Sequence, residues 1–329
     1  MSDGGDGFGE VLSNLLGAKA RQIKTVDAAH QKISATWWWE PKTRTAIIES
    51  ARVIGLAMLP PKKFHPFQLD TFGLGAVLLA AKNMGAQRCL IGIGGSATND
   101  GGFGLARALG WKFFHESGEE ISEWWQLCGV KTIVQPRENL DLPMTVAVDV
   151  QNRLLGKEGC SRVYGPQKGL QPDDFCHAEN CLGKIAEVMK EQSAKDCAKL
   201  PGSGAAGGLG FGLMTFAAAK PESGFEIFAS YAGLEKKICA SDLVITGEGA
   251  LDQQTLMGKG VGQVALLCKK IGVPCVGLAG VVTEPEKARK LFAQTRGLVE
   301  ITDLPNAKSK PGFFLEKVAA LAGQSISGK

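Results

Sequence analysis

Apolar positions recur every three to four residues along 8–16 (Phe8, Val11, Leu12, Leu15), 72–84 (Leu74, Val77, Leu78, Ala81), 103–109, 172–199, 213–219 and 261–270, and this spacing predicts helices there. Short apolar or β-branched runs at 33–39, 45–51, 89–93, 145–150, 241–245 and 273–278 predict strands. The first two, joined by Glu40-Pro41-Lys42-Thr43-Arg44, read as a hairpin, and residues 113–120 read as a polar hairpin. The three consecutive tryptophans Trp37, Trp38 and Trp39 read as core-facing rings with a neighbour on the opposite face, because side chains alternate along a strand. Residues 316–321 add a last helical turn or two. Strands that alternate with helices over such distances predict an α/β fold with parallel pairing.

The chain is organised around 88–110, RCLIGIGGSATNDGGFGLARALG, in which a buried strand feeds a glycine-rich turn and then a helix. Free N–H groups and the positive end of a helix dipole suit an anion at such a place. Gly94, Gly95, Gly101 and Gly102 allow close backbone approach, Ser96, Thr98 and Asn99 add donors, and Asp100 adds a carboxylate that could hold Mg²⁺ beside a phosphate. A tight turn with an Asn/Asp cap explains the same pattern. A second glycine-rich loop, 202–212, contains Gly204, Gly207 and Gly208; the segment before it is not a strand, so its G-x-G-x-x-G is no dinucleotide fingerprint. The Rossmann reading of Gly92, Gly94 and Ala97 lacks the acidic residue at the end of a second strand. No P-loop pattern occurs.

Asp149 stands near the end of a strand, where open α/β sheets gather ligands. Lys168 closes the loop Tyr164-Gly165-Pro166-Gln167-Lys168-Gly169. Gly247, Glu248, Gly249, Asp252 and Lys259 are expected in one loop between a strand end and a helix start, where two carboxylates and a lysine suit phosphate and metal handling. Asp3 and Asp6, in the opening Ser2-Asp3-Gly4-Gly5-Asp6-Gly7, read as part of a helix cap or of a ligand-facing turn.

Composition narrows the picture. With 329 residues, 44% hydrophobic and 21% charged, the chain is long enough for two domains with ordinary globular cores. A net charge of +4, spread along the sequence, argues against nucleic acid, and no apolar run suits a membrane span. The nine cysteines form no C-x-x-C pair, and the four histidines do not flank them at zinc-site spacing. Free thiols in a cytoplasmic protein are expected, with Cys176 and Cys181 reduced and without zinc. A homo-oligomer is left open.

GGSATNDGG at 94–102, TFGLGAVLLAAKNMGA at 71–86, VDVQNRLLG at 148–156, YGPQKG at 164–169, GSGAAGGLGFG at 202–212 and DLVITGEGALDQQTLMGKG at 242–260 together resemble the glycerate kinase family over essentially the whole chain. The resemblance implies ATP-dependent, Mg²⁺-requiring transfer of phosphate to glycerate, forming 2-phosphoglycerate, with 3-phosphoglycerate still open. It implies two α/β domains: an inserted, restriction-endonuclease-like one over 1–234 and a flavodoxin-like parallel sheet to which 235–329 belong. It assigns the glycine turns to phosphate, Asp149 or Asp252 to the hydroxyl proton, Asp100 or Glu248 to Mg²⁺, and Lys259 and Lys168 to phosphate or carboxylate charge. Asn99→Ala and Asp100→Ala are accordingly expected to lower turnover and leave the fold intact. Two departures stand out. Arg153 replaces the family's proline, and SDGGDG at 2–7 resembles a motif that the family carries internally, after a strand, a helix and a further strand, with a D-S-F-K-G motif following the first strand. The expectation that follows is an incomplete second sheet with Ile245 or Val276 exposed on one side, and the alternative reading is a ligand-binding remnant without catalysis.

Overall fold

In the computed structural model, which describes residues 4–5, 7–256 and 260–327, two stretches bury their apolar faces separately. The described residues before Ala229 form one compact unit and those from Ala229 onward another.

The first unit is built on a six-stranded mixed sheet. Its members are β1 (Lys19–Val26), β2 (Lys32–Glu40), β3 (Thr45–Glu49), β4 (Arg88–Gly92), β7 (Met144–Ala147) and β8 (Lys220–Glu222), in the order β1-β2-β3-β4-β7-β8. The β1/β2 and β2/β3 pairs are antiparallel, and β3, β4, β7 and β8 run parallel. Every residue of β3 and all of β4 but Arg88 are buried, as expected of central strands covered on both faces. β1 escapes sequence reading because KARQIKTV is a charged, largely exposed edge, the composition that keeps an edge from pairing with other chains. Trp37 and Trp39 enter the core with Ile48, Leu74 and Ile91. Trp38 faces the other side, close against Gly9 of the helix Phe8–Leu16, with the Arg52 guanidinium 5.1 Å from its ring.

A second core in this unit gathers Phe103, Phe113, Trp124 and Phe211 under the helix Asp174–Ser193. Here β5 (Lys112–His115) pairs with β6 (Val130–Val134), and the expected hairpin is a short second arm: an antiparallel bridge joins Phe114 to Glu120, flanked by the His115 N–H on the Glu119 carbonyl at 2.9 Å and the Ile121 N–H on the Phe113 carbonyl at 2.8 Å.

The second unit holds a parallel sheet in the order β11-β10-β9, with β9 (Val244–Leu251), β10 (Cys275–Val282) and β11 (Gln294–Gly297). The helices Val261–Ile271 and Pro311–Ser327 accompany it, the latter far longer than the expected turn or two. Among the described residues β9 is an edge: Ile245 is 61% exposed, whereas Val276 on the central strand is 1% exposed. Exposure therefore falls on one of the two residues expected to show it. β9 also extends past the expected 241–245, so Gly247, Glu248 and Gly249 lie in a strand instead of a loop. A Cβ at Gly247 would stand 2.4 Å from the Leu278 carbonyl oxygen, so this glycine serves the β9/β10 contact.

Candidate functional site

The parallel strands β3, β4, β7 and β8 end at Glu49, Gly92, Ala147 and Glu222, and the segments that follow them converge at one sheet edge. Over this edge lies the glycine turn near the start of the chain. The Gly94 N–H donates to the Gly4 carbonyl at 3.2 Å, and a Cβ on Gly94 would meet the Gly5 Cα at 2.5 Å. The N–H groups of Gly7 and Gly9 donate to the Glu49 carboxylate at 3.2 and 2.9 Å, which caps the helix Phe8–Leu16 from outside. Asp3 and Asp6 lie outside the described residues.

The two glycine-rich loops pack on each other. Ala206, Gly207 and Gly208 adopt left-handed backbone inside the helix Ala205–Phe216. The Gly101 N–H donates to the Gly207 carbonyl at 3.1 Å. A Cβ at Gly207 would stand 1.9 Å from the Thr98 carbonyl oxygen, and one at Gly212 would stand 2.6 Å from the Gly102 Cα. Gly204 is held the same way, its N–H on the Asn152 carbonyl at 2.9 Å. The donors of Gly94, Gly101, Gly102, Gly204 and Gly208 are all spent inside the protein. Backbone-to-backbone packing thus gives these five glycines a role inside the protein; spacing along a chain cannot say whether a ligand or a second loop makes the close approach.

Asp100 is likewise engaged inside the protein. It is fully buried. Its Oδ2 accepts from the Thr71 hydroxyl at 2.7 Å, the Thr71 N–H at 3.0 Å and the Gly104 N–H at 2.9 Å, and its Oδ1 accepts from the Gly102 N–H at 3.3 Å. It ties the start of the helix Phe103–Ala108 to Thr71, whose hydroxyl also accepts from the Leu105 N–H at 2.8 Å. Burial, and then the nearby Asp70 charge, push its carboxyl up to about 6. A carboxylate so fully engaged does not fit a hard divalent cation, which needs free oxygen lone pairs.

Lys168 has the opposite surroundings. It ends the short helix Gly165–Lys168 and is buried. Its ammonium donates to Ser96 Oγ at 3.0 Å and to the Thr98 carbonyl at 2.6 Å, and among the described residues it joins no ion pair. Burial holds its amine down to about 8. Beside it, Asn99 Nδ2 donates to Ser161 Oγ at 2.9 Å, while Asn99 Oδ1 and Thr98 Oγ1 are buried and have no hydrogen-bond partner among the described residues. A buried cation with neutral acceptors only, next to unsatisfied polar atoms, is what a site for an anionic, hydroxylated ligand requires. Asp149 lies at the same sheet edge, two residues past β7, and its Oδ1 accepts from Ser223 Oγ at 3.1 Å and the Gly224 N–H at 3.0 Å.

In the second unit, Glu248 is half-buried and accepts a short hydrogen bond from the Thr255 hydroxyl, and Asp252 Oδ1 accepts from the Thr255 N–H at 3.3 Å. Lys259 lies outside the described residues. Sequence reading gave no role to Thr71, Ser161 and Ser223, which matter only through the partners that folding brings to them.

The sequence profile described as "Glycerate kinase family" matches residues 1–322. This chain belongs to the glycerate kinase family. It is 38% identical to the glycerate 2-kinase of Escherichia coli K12 over 289 residues, covering 86% of this chain and 76% of that one. It is 33% identical to a glycerate kinase of Bacillus subtilis 168 over 336 residues, covering 99% and 87%. A solved structure described as a provisional glycerate kinase 2 of Salmonella typhimurium LT2 superposes with a TM-score of 0.82 at 30% identity, covering 100% of this chain and 88% of that one. The α/β architecture of this glycerate kinase is therefore shared along its whole described length.

Proposed function

We propose that this glycerate kinase uses ATP to phosphorylate glycerate at the 2-hydroxyl, and that the substrate end of its site is the sheet edge holding Lys168 and Asp149. The observation that carries the reading is the buried Lys168 ammonium, which among the described residues hydrogen-bonds a hydroxyl and a carbonyl and joins no ion pair, with Asp100 acting on it only through space. Phosphoryl transfer asks a protein mainly for positioning and charge stabilisation. An ammonium already stripped of water interacts far more strongly with a carboxylate or phosphate than one in solvent, and it needs no reorganisation when the ligand arrives. Thr98 Oγ1 and Asn99 Oδ1 offer a donor and an acceptor to the polyhydroxylated acid. Asp149, held through Oδ1 by Ser223 and Gly224, takes the proton of the attacking hydroxyl. Within the second unit taken by itself, Glu248 is engaged by a single hydroxyl and is a carboxylate of the kind that Mg²⁺ takes as an oxygen ligand; that ion, when bound, neutralises phosphate charge.

The test is a coupled assay of the purified chain with ATP, Mg²⁺ and glycerate, with the product located by phosphorus NMR. Lys168→Met is expected to lower kcat/KM at least about a hundredfold with an unchanged circular dichroism spectrum. Absence of a phosphoglycerate product, or full activity in the variant, would overturn the reading.

A further inference from the structure

Away from that sheet edge, three soft ligands meet that the linear sequence keeps apart. His177 and Cys181 are four residues apart on the helix Asp174–Ser193 and so share one face. Cys128 comes from the turn Trp124–Gly129 packed beside that helix. The donor atoms of Cys128, His177 and Cys181 all lie within 4.8 Å of one another. We propose that Cys128, His177 and Cys181 form a binding site for a borderline-soft divalent cation, with Zn²⁺ as the natural occupant.

The distances suit the ion. Zinc takes sulfur at about 2.3 Å and imidazole nitrogen at about 2.0–2.1 Å, which in a tetrahedron places those two atoms about 3.5–3.6 Å apart. Cys181 Sγ and His177 Nε2 stand 3.7 Å apart. Two thiols and an imidazole select zinc over the hard ions Mg²⁺ and Ca²⁺. The three groups are also placed in a graded way: Cys181 is buried, His177 half-buried and Cys128 exposed, so an ion has a route in from solvent. Ring packing keeps the imidazole in place, since Phe67 lies 5.5 Å from it and 5.1 Å from Trp124 on the partner turn.

Both helix ligands also meet one common acceptor. The Cys181 thiol donates to the Trp125 carbonyl at 3.1 Å, and His177 Nε2 lies 2.7 Å from the same oxygen. Metal binding replaces these bonds. Each thiol loses its proton to solvent, so two protons are released per ion, and the imidazole carries its own proton on Nδ1 so that the Nε2 lone pair faces the metal. A fourth position remains for water or for the Trp125 carbonyl. Bound, the ion staples the turn Trp124–Gly129 to the helix Asp174–Ser193. This proposal runs against the expectation of a zinc-free Cys181 drawn from cysteine spacing; Cys176 is exposed and outside the cluster.

The full-length chain, kept reduced with a phosphine, is titrated with Co²⁺ and separately with Zn²⁺ against a chromophoric chelator. One equivalent of Co²⁺ is expected to give tetrahedral d–d bands and a sulfur-to-cobalt charge-transfer band, and Zn²⁺ is expected to abolish both. Cys128→Ser and His177→Gln, which change accessible side chains, should each weaken Zn²⁺ binding at least about tenfold, while Cys176→Ser leaves it unchanged. No stoichiometric binding in the wild type, or equal affinity in all three variants, would overturn the assignment.

Discussion

Asp100 and Lys168 are both buried ionisable groups attached to the same glycine-rich turn, and their surroundings differ completely. Four donors, three backbone N–H groups and one hydroxyl, converge on Asp100. Among the described residues Lys168 hydrogen-bonds a hydroxyl and a carbonyl, beside a hydroxyl and an amide oxygen that have no hydrogen-bond partner there. Saturation marks a group that holds the protein together, because every partner would be orphaned by its loss. Deficiency marks a group that waits for something else to complete it. The residue types alone suggest the reverse assignment for Asp100, a metal ligand.

The largest expected effect tests the saturated side. Asp100→Ala leaves buried donors on Thr71, Gly102 and Gly104 unpaired and is expected to cost about 4 kcal/mol in urea unfolding. This replaces the expectation that the variant keeps its fold. A loss below about 1 kcal/mol would break the comparison. Gly207→Ala comes next. Its backbone φ is +70° and its new Cβ would collide with the Thr98 carbonyl, so the loop pair should separate at a cost of about 3 kcal/mol. A variant with wild-type stability would show that the loops do not need each other.

Lys168 sharpens the other side through pH. Its folded pKa, near 8, lies below its unfolded value of about 10.5. Between those values the unfolded chain binds more protons, so stability is expected to rise with pH across that window, by up to about 3 kcal/mol. Substrate affinity should move the opposite way, falling as pH passes 8 and the ammonium charge is lost. Lys168→Met should remove both dependences, which denaturant curves and KM at several pH values would check. The smallest effect supplies a baseline outside the comparison. Ile245→Lys, on the open edge of β9, should change stability by less than about 0.5 kcal/mol and reduce aggregation. A larger loss of stability would mean that some further element covers that edge.

Periodicity by itself located most of the regular elements: the helix Phe8–Leu16 falls where its apolar spacing places it, and the helices Gly73–Asn83 and Val261–Ile271 and the strand Arg88–Gly92 lie within a residue or so of their expected bounds. These segments bury one face or both, and burial writes itself into composition. Motif order likewise placed the chain in its family. Edge and short strands such as β1, β8 and β11 left no such trace, since their backbone bonds come from neighbours and their side chains stay largely in water or only partly buried. Nor could glycine spacing tell a phosphate cradle from two loops in contact, or aspartate identity tell a cap from a ligand. Those roles depend on which groups lie within about 3 Å after folding. Cys128 joins His177 and Cys181, and Lys168 joins Ser96 and Thr98, only because packed helices and parallel strands bring distant segments together; chain separation carries no record of that approach.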